Sequence, residues 1–471
     1  MQKNGKNILL TILPIALFIC FVIFLFSLPS TYGIFKWNEY YKNLLIKISL
    51  LPILISLFGL LSILLKKNKI LYKIFSILNM ALNFILIIIL ISAVIFIFVN
   101  SNPSFTSTSP LFMLSDSTGI FGLPDIQISF KTQKNEIIQC EYFNENQIDN
   151  KIILKDNKAT KIHKFIIKDL KPESIYYFNL SNGKSFKYKT AKTKINENNP
   201  FSFAISSDPH FGRDKSRNDI TEKIVKLVEN EPNYSFFAIL GDFVESGYVK
   251  SHWQILLDFL GKNFGNLPII PVMGNHDAFI AGHRFYKSIF SSVKTENRSS
   301  PYYKHYTFKV DNKNIHVITL SLLWGIEDFS IKQKNWLIKE LSKTNKDDFV
   351  VILSHAFLYA SGYTEEGGIP WFDNNSVIKI LEPIFKKYDV DLVVSGHNHT
   401  MELIENDSIY YAIIGSFGGL PDPEKTFTSK GSLWYKSGLY GYLDVKSFAD
   451  FFVLTFYDEN KNILFQNKCN Y

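Results

Sequence analysis

Five short apolar runs from residue 201 onward, at residues 201–205, 236–240, 269–273, 350–353 and 392–394, each stop on a metal-type residue. The stops are Asp208-Pro209-His210, Gly241-Asp242, Gly274-Asn275-His276-Asp277, His355 and Gly396-His397-Asn398-His399. Apolar runs of three to five residues separated by helix-length segments suit buried strands of an α/β sheet. Ligands of such sheets gather beyond the carboxyl ends of the strands. Five ends carrying Asp, His and Asn therefore converge on one site, and this recurrence argues against a scatter of core histidines.

The residue types define the metal chemistry. Imidazole together with carboxylate favours zinc, manganese or iron, whereas calcium and magnesium call for oxygen ligands alone. No cysteine lies near the five blocks, which excludes a thiolate zinc site. Two close cations can clamp a phosphate, neutralise charge in the transition state and bring a shared water toward a pKa near 7.

The ordered set D-x-H, GD, GNH with a following acid, a lone His and GHxH resembles the calcineurin-like metallophosphoesterases, over residues 201–420. The resemblance implies one ion held by Asp208, His210 and His399, and a second held by Asn275, His355 and His397, with Asp242 bridging both. It implies a four-layer α/β/β/α sandwich. The implied activity is hydrolysis of phosphomonoesters or phosphodiesters by a hydroxide that bridges two transition ions (Mn, Fe or Zn). His276, beside Asn275, is then catalytic without being a ligand: it protonates the leaving oxygen, a task suited to an imidazole that titrates near neutrality. Glu245 stands three residues after Asp242, where relatives with GDxxD carry an acid that orients this histidine; the alternative is a solvent-exposed loop glutamate.

Arginine is scarce, with Arg213, Arg217, Arg284 and Arg298 the full set. A guanidinium grips phosphate oxygens in a way lysine cannot, so Arg213 and Arg284 are candidate substrate contacts, against ordinary surface cations. Substrate choice falls to the loops after the strands. Among their aromatics, Phe285, Tyr286, Tyr359, Tyr363, Trp371 and Phe372 either stack a base, face lipid or pack.

Residues 126–193 read as short alternating strands, the pattern of a small β-sandwich. Leu170-Lys171-Pro172-Glu173-Ser174-Ile175-Tyr176 resembles the L-x-P-x-[ST]-x-Y stretch of fibronectin type III-like domains, where Tyr176 would be the corner tyrosine. A domain of that type precedes the catalytic domain of purple acid phosphatases. The likeness to those enzymes breaks at the metal site, where they carry D-x-G in place of Asp208-Pro209-His210 and a metal-binding tyrosine in place of Glu245. Without that tyrosinate, charge-transfer colour is not expected.

The first hundred residues are of another kind. Stretches 8–28, 48–65 and 74–99 are apolar and uncharged; the first and third are long enough to cross a hydrocarbon core of about 20 helical residues, and the second qualifies narrowly. Lys3 and Lys6 precede the first stretch, and Lys66, Lys67, Lys69 and Lys73 crowd the second link, against Lys36, Lys42 and Lys47 in the first. The positive-inside rule places the amino terminus and the second link in the cytoplasm and everything beyond about residue 100 outside. Cleavage of the first stretch as a signal sequence would leave that placement unchanged.

These readings divide the chain into a membrane anchor (1–100), a fibronectin type III-like sandwich (101–195) and a metallophosphoesterase domain with terminal β-structure (196–471). The expected partners are the bilayer and a phosphate ester. The net charge of +8 comes from dispersed lysines, with no basic run interleaved with aromatics after residue 100, so nucleic acid is not expected. A catalytically silent surface-binding module is the competing reading, and seven intact candidate ligands argue against it. A transporter regulated by the phosphoesterase is a third, disfavoured because no charge interrupts the spans. Cys140 and Cys469 leave one disulfide open.

Overall fold

A computed structural model of the chain describes residues 2–100, 110–291, 300–311, 313–365 and 368–471; Arg298 lies outside them. The chain divides into a helical unit, through residue 102, and a larger α/β unit.

The helical unit holds α1 (Gln2–Phe26), α2 (Thr31–Trp37), α3 (Glu39–Leu64) and α4 (Lys69–Asn100). Three segments are long and apolar enough to cross a membrane: Ile8–Phe26, Tyr41–Lys67 and Lys69–Val99. The middle one is longer than its uncharged stretch because the helix starts well before residue 48. Pro14 and Pro52 stay inside helices, and α3 packs against both α1 and α4. A polar seam runs through this bundle: Asn79 Nδ2 donates to the Ile55 carbonyl at 2.7 Å and Asn83 Nδ2 to that of Leu10 at 3.1 Å. Amide side chains of this kind hold helices together where no hydrophobic effect separates protein from lipid.

The α/β unit opens with β1 (Leu111–Thr118), β2 (Pro124–Glu136), β3 (Gln139–Asn144), β4 (Ile152–Lys155), β5 (Thr160–Ile167), β6 (Ile175–Leu180) and β7 (Ser185–Lys189). A first α/β half follows, with β8 (Phe201–Ser206), α5 (Asn218–Glu229), β9 (Tyr234–Ile239), α6 (Lys250–Asn263), β10 (Ile269–Pro271), α7 (Asn275–Ala278) and α8 (His283–Phe290). The second half comprises β11 (Lys304–Val310), β12 (Lys313–Thr319), α9 (Ile331–Leu341), β13 (Phe349–Ser354), α10 (Asn375–Lys387), β14 (Leu392–Ser395), β15 (Met401–Asn406), β16 (Ile409–Ile414) and β17 (Ser432–Lys436). The chain closes with β18 (Gly441–Ser447), β19 (Phe451–Asp458) and β20 (Ile463–Asn470).

Two large sheets result, ordered β20-β19-β18-β8-β9-β10-β1-β2-β5 and β11-β12-β13-β14-β16-β15-β17, with a third of β4-β3-β6-β7. Within the first, β8, β9 and β10 are parallel; within the second, β12, β13, β14 and β16 are. Because side chains alternate along a strand, Phe203, Ile205, Ala238 and Ile270 of one sheet meet Val351, Leu353, Val394 and Ala412 of the other in a single core. The outer faces carry helices: Ile352, Val393 and Tyr411 pack with Leu337 of α9 and Leu381 of α10, and Phe237 stacks on Phe264 after α6. This is the expected α/β/β/α order.

The boundary expected at 195/196 is not a break in the sheets. β1 pairs in parallel with β10, β2 with β1 and β5 with β2, so strands from the N-terminal segment extend the first α/β sheet. Their side chains, including Phe112, Ile128 and Phe165, belong to the same core as Phe201 and Tyr306. Only β3, β4, β6 and β7 form a separate sheet. There Tyr176 does what the corner motif predicts, its hydroxyl accepting the Lys171 N–H at 3.1 Å. Cys140 and Cys469 are buried free thiols, not a disulfide.

Candidate metal centre

Each candidate ligand follows a parallel strand of the two-sheet sandwich: Asp208 after β8, Asp242 after β9, Asn275 after β10, His355 after β13 and His397 after β14. The turns that present them are strained. Asp208, His210, Asp242 and His397 all sit at positive φ, between 48° and 70°, a conformation that costs a non-glycine residue free energy and persists only where the surroundings impose it. The motif glycines have a steric reason. A Cβ at Gly274 would overlap the Asp242 carboxylate, and one at Gly396 would overlap Ser207 Oγ and stand 2.5 Å from Asp208 Oδ2.

The side chains gather in two groups joined through Asp242. In the first, Nε2 of His210 and Nε2 of His399 face each other at 3.1 Å. Asp208 Oδ1 lies 3.8 and 3.5 Å from them and is buried with no hydrogen-bond partner. In the second, Asn275 Oδ1 lies 2.7 Å from His355 Nε2 and 3.0 Å from His397 Nδ1, and those two nitrogens are 3.1 Å apart. Asp242 turns Oδ2 to His210 Nε2 (3.5 Å) and Oδ1 to His355 Nε2 (3.4 Å).

The outer nitrogens decide what these approaches mean. His210 Nδ1 donates to the Glu245 carboxylate at 2.8 Å, His355 Nδ1 to the Leu240 carbonyl at 2.8 Å, and His399 Nδ1 to the Leu420 carbonyl. With Nδ1–H committed, neutral rings present Nε2 lone pairs inward, where lone pairs then face lone pairs and an amide oxygen. Such an arrangement needs cations between the acceptors, and outer hydrogen bonds of this kind set the tautomer of metal-binding histidines. The residues present therefore fit two metal ions, with the seven-residue set that the motifs single out.

Without metal, protons take that role. Burial opposes charge on His210 and His355, yet Asp208, Glu245 and Asp242 outweigh it, raising His210 to about 10 and His355 to about 9. His397, half-buried and close to His355, is pushed down to about 3, chiefly by desolvation. Burial alone would raise Asp208 and Asp242, but the surrounding histidines hold both below the ordinary carboxylate range.

Glu245 differs from expectation. Its carboxylate is bonded to His210 and stays 3.9 Å from His276 Nδ1. The backbone carbonyl of Glu245 instead accepts from His276 Nδ1 at 2.6 Å. The histidine that takes the place of glycine in D-x-H brings a new ring within reach, and the glutamate's extra methylene serves that ring. His276 is about one-third exposed, and its N–H donates to Asp242 Oδ1 at 2.9 Å. Arg213 stands 3.7 Å from Glu245 at the edge of the cluster; Arg284 lies on α8, partly buried, outside the seven-residue set.

Three supporting residues carried no motif signal strong enough to single out their roles. Asp277 Oδ1 and Oδ2 accept the N–H groups of Val244 and Gly274, clamping two ligand loops together. Asp422 Oδ2 accepts the His399 N–H at 2.7 Å. Trp324 packs against His397. The acid after GNH was visible as Asp277, but the other two act across long sequence separations.

Residues 201–401 match the family model of the calcineurin-like phosphoesterases. Among curated relatives, purple acid phosphatase 1 of Ipomoea batatas is 25% identical over 269 residues, covering 54% of this chain and 54% of the relative. Tartrate-resistant acid phosphatase type 5 of Homo sapiens is 23% identical over 39% of this chain and 59% of its own length. The chain spans about half the length of the curated relatives it matches. A solved purple acid phosphatase from yellow lupin (Lupinus luteus) seeds superposes with a TM-score of 0.60 at 14% identity, over 77% of this chain and 74% of that one. PhoD gives 0.55 at 10% identity, over 78% and 90%. These two structures share the fold.

Proposed function

We propose that the chain is a membrane-anchored, binuclear metal-dependent phosphoesterase acting on phosphomonoesters or phosphodiesters, with its α/β unit on the extracytoplasmic side. The observation that carries this reading is the pair of inward-facing acceptor groups, at 3.1 and 2.7 Å, joined by the two oxygens of Asp242. Asp208, His210 and His399 would hold one ion, Asn275, His355 and His397 the other, and Asp242 both; manganese, iron and zinc suit the donor set. When bound, two such ions supply charge neutralisation for a phosphate and an acidified water.

The chain's own residues do the remaining work. Glu245, Leu240 and Leu420 fix the ligand rings through their outer nitrogens. His276, with Nδ1 committed to the Glu245 carbonyl, is left with Nε2 for proton exchange. Burial lowers its pKa, and the negative charge of an arriving phosphate favours the imidazolium that can protonate a leaving oxygen. Arg213, at the cluster's edge, is a candidate partner for phosphate oxygens, and Arg284 a second. The lysine asymmetry of the helical unit supports the extracytoplasmic placement.

The test is elemental analysis of the purified full chain together with a panel of ester substrates. Two transition ions per chain and phosphate release are expected, and Asp242→Asn should lower occupancy of both ions because its carboxylate faces both groups. One ion, or none under metal-replete conditions, would sink the binuclear reading.

A further inference from the structure

The His397 flank of the site is walled by aromatic rings. The Trp371 ring centroid lies 5.1 Å from that of His397, Trp324 5.5 Å and Phe357 5.9 Å. Trp324 and Phe357 are buried, while Trp371 is partly exposed with Trp324 at 6.2 Å. The His210 flank is instead charged, with Glu245, Arg213 and His276. The cluster thus has one polar side and one aromatic side.

Trp371 is placed by its backbone and held by its neighbours. Its N–H donates to the Tyr363 carbonyl at 2.9 Å. Its carbonyl accepts from Asn398 Nδ2 at 3.1 Å, and Asn398 stands between His397 and His399. Gly362 approaches so closely that any Cβ there would overlap the Trp371 carbonyl. Phe372 stacks on Phe427 at 4.2 Å, and the indole Nε1 donates to Glu365 at 3.0 Å. Trp324 is anchored likewise, its N–H on Asp328 and its carbonyl on Asn374 Nδ2. A large, half-open ring tied by hydrogen bonds to the loop that presents a candidate ligand is a preorganised surface, and every planar ring can stack on it.

Resting on the phosphoesterase reading, we propose that Trp371, backed by Trp324, is the leaving-group wall of the site. It stacks a planar aromatic group carried by the phosphate ester, so phosphate esters of phenols or nucleosides are preferred over those of alkyl alcohols. Asn398 is a positioning residue for that wall.

The experiment measures binding of non-hydrolysable phosphonates to the full chain in detergent, loaded with manganese, by titration calorimetry. Phenylphosphonate and 5′-deoxyadenosine 5′-phosphonate distinguish the two sources of the ring, with methylphosphonate as the ringless reference. At least one aromatic phosphonate should bind about ten- to a hundredfold tighter than methylphosphonate, the range expected of stacking on an aromatic side chain. That preference should collapse in Trp371→Ala and persist in Trp371→Phe, with metal content and methylphosphonate affinity unchanged. Trp371→Leu, which keeps apolar bulk without a ring, gives the same reading if the alanine variant loses metal. Equal affinity for all three probes in the unmodified protein, or a preference that survives both Trp371→Ala and Trp371→Leu, would overturn the wall. An intact preference in a protein that cleaves no ester would uphold the wall and count against the phosphoesterase reading instead.

Discussion

Three of the imidazoles in the cluster are committed at Nδ1 to an oxygen outside it, and that commitment makes the inward nitrogens acceptors. His276 differs from the rings around it in exposure and in its neighbours. Its Nδ1, like those of His355 and His399, is held by a backbone carbonyl; it lies within 4.8 Å of ligand atoms of His210 and Asp242 but takes no part in the acceptor pairs at 2.7 to 3.1 Å. His276→Ala should therefore keep both metals yet slow turnover by about 10²–10⁴-fold, the usual scale of general-acid help. Alkyl esters should suffer most and esters of acidic phenols least; an equal loss for both, with metals retained, would make His276 a phosphate-binding group instead. His397→Ala should lose metal and slow every substrate alike. Glu245→Gln should now perturb metal binding through His210 more than proton transfer through His276, because its carboxylate bonds to His210.

The raised histidines also fix a pH dependence. Folding lifts His210 to about 10 and His355 to about 9, above an unfolded value of about 6.5. The stabilising protons are fully in place below about 6.5 and are lost as pH rises through about 9 to 10. The metal-free protein should accordingly melt at lower temperature as pH climbs through that range, while the metal-loaded protein should not. Loading must displace the same protons, so metal affinity should rise with pH. A metal-free melting temperature flat from pH 7 to 10 would contradict this.

Strand ends do the assembling at the scale of elements. Parallel strands β8, β9 and β10 in one sheet and β13 and β14 in the other all finish on one side of the sandwich, so residues from five distant parts of the chain need only short turns to meet. The left-handed φ values in those turns are sustained by the packed strands beneath. The N-terminal strands take part in this support, since β1 covers the edge of β10 and its apolar side chains lie in the common core. A fragment starting at residue 196 should therefore aggregate, exposing an unpaired strand edge and apolar surface, whereas one starting at residue 103 should stay soluble and show cooperative melting. A well-folded fragment from 196 would mean that the shared sheet is dispensable. The alternating pattern of residues 126–193 revealed strands, and the Tyr176 corner was legible from its motif. Which sheet each strand would join was not, because period-two alternation marks a buried face without naming the partner that buries it.

For the whole molecule, the proposed topology rests on three apolar helices among the described residues and the lysine imbalance. Protease added to intact cells should release a fragment of the α/β unit; complete protection, with digestion only after lysis, would overturn the extracytoplasmic placement. The sequence alone determined the residues that could bind metal, the order of strands and helices around them, and the presence of membrane-length helices. It could do so because ligand chemistry, apolar runs and bilayer thickness are local properties written in consecutive residues. Only the tertiary structure decided that Glu245 holds His210, that the N-terminal strands extend the α/β sheet and that Trp324 and Trp371 meet at His397. Those relations join residues tens to more than a hundred positions apart, and their partners are chosen by packing in space, which no local pattern encodes.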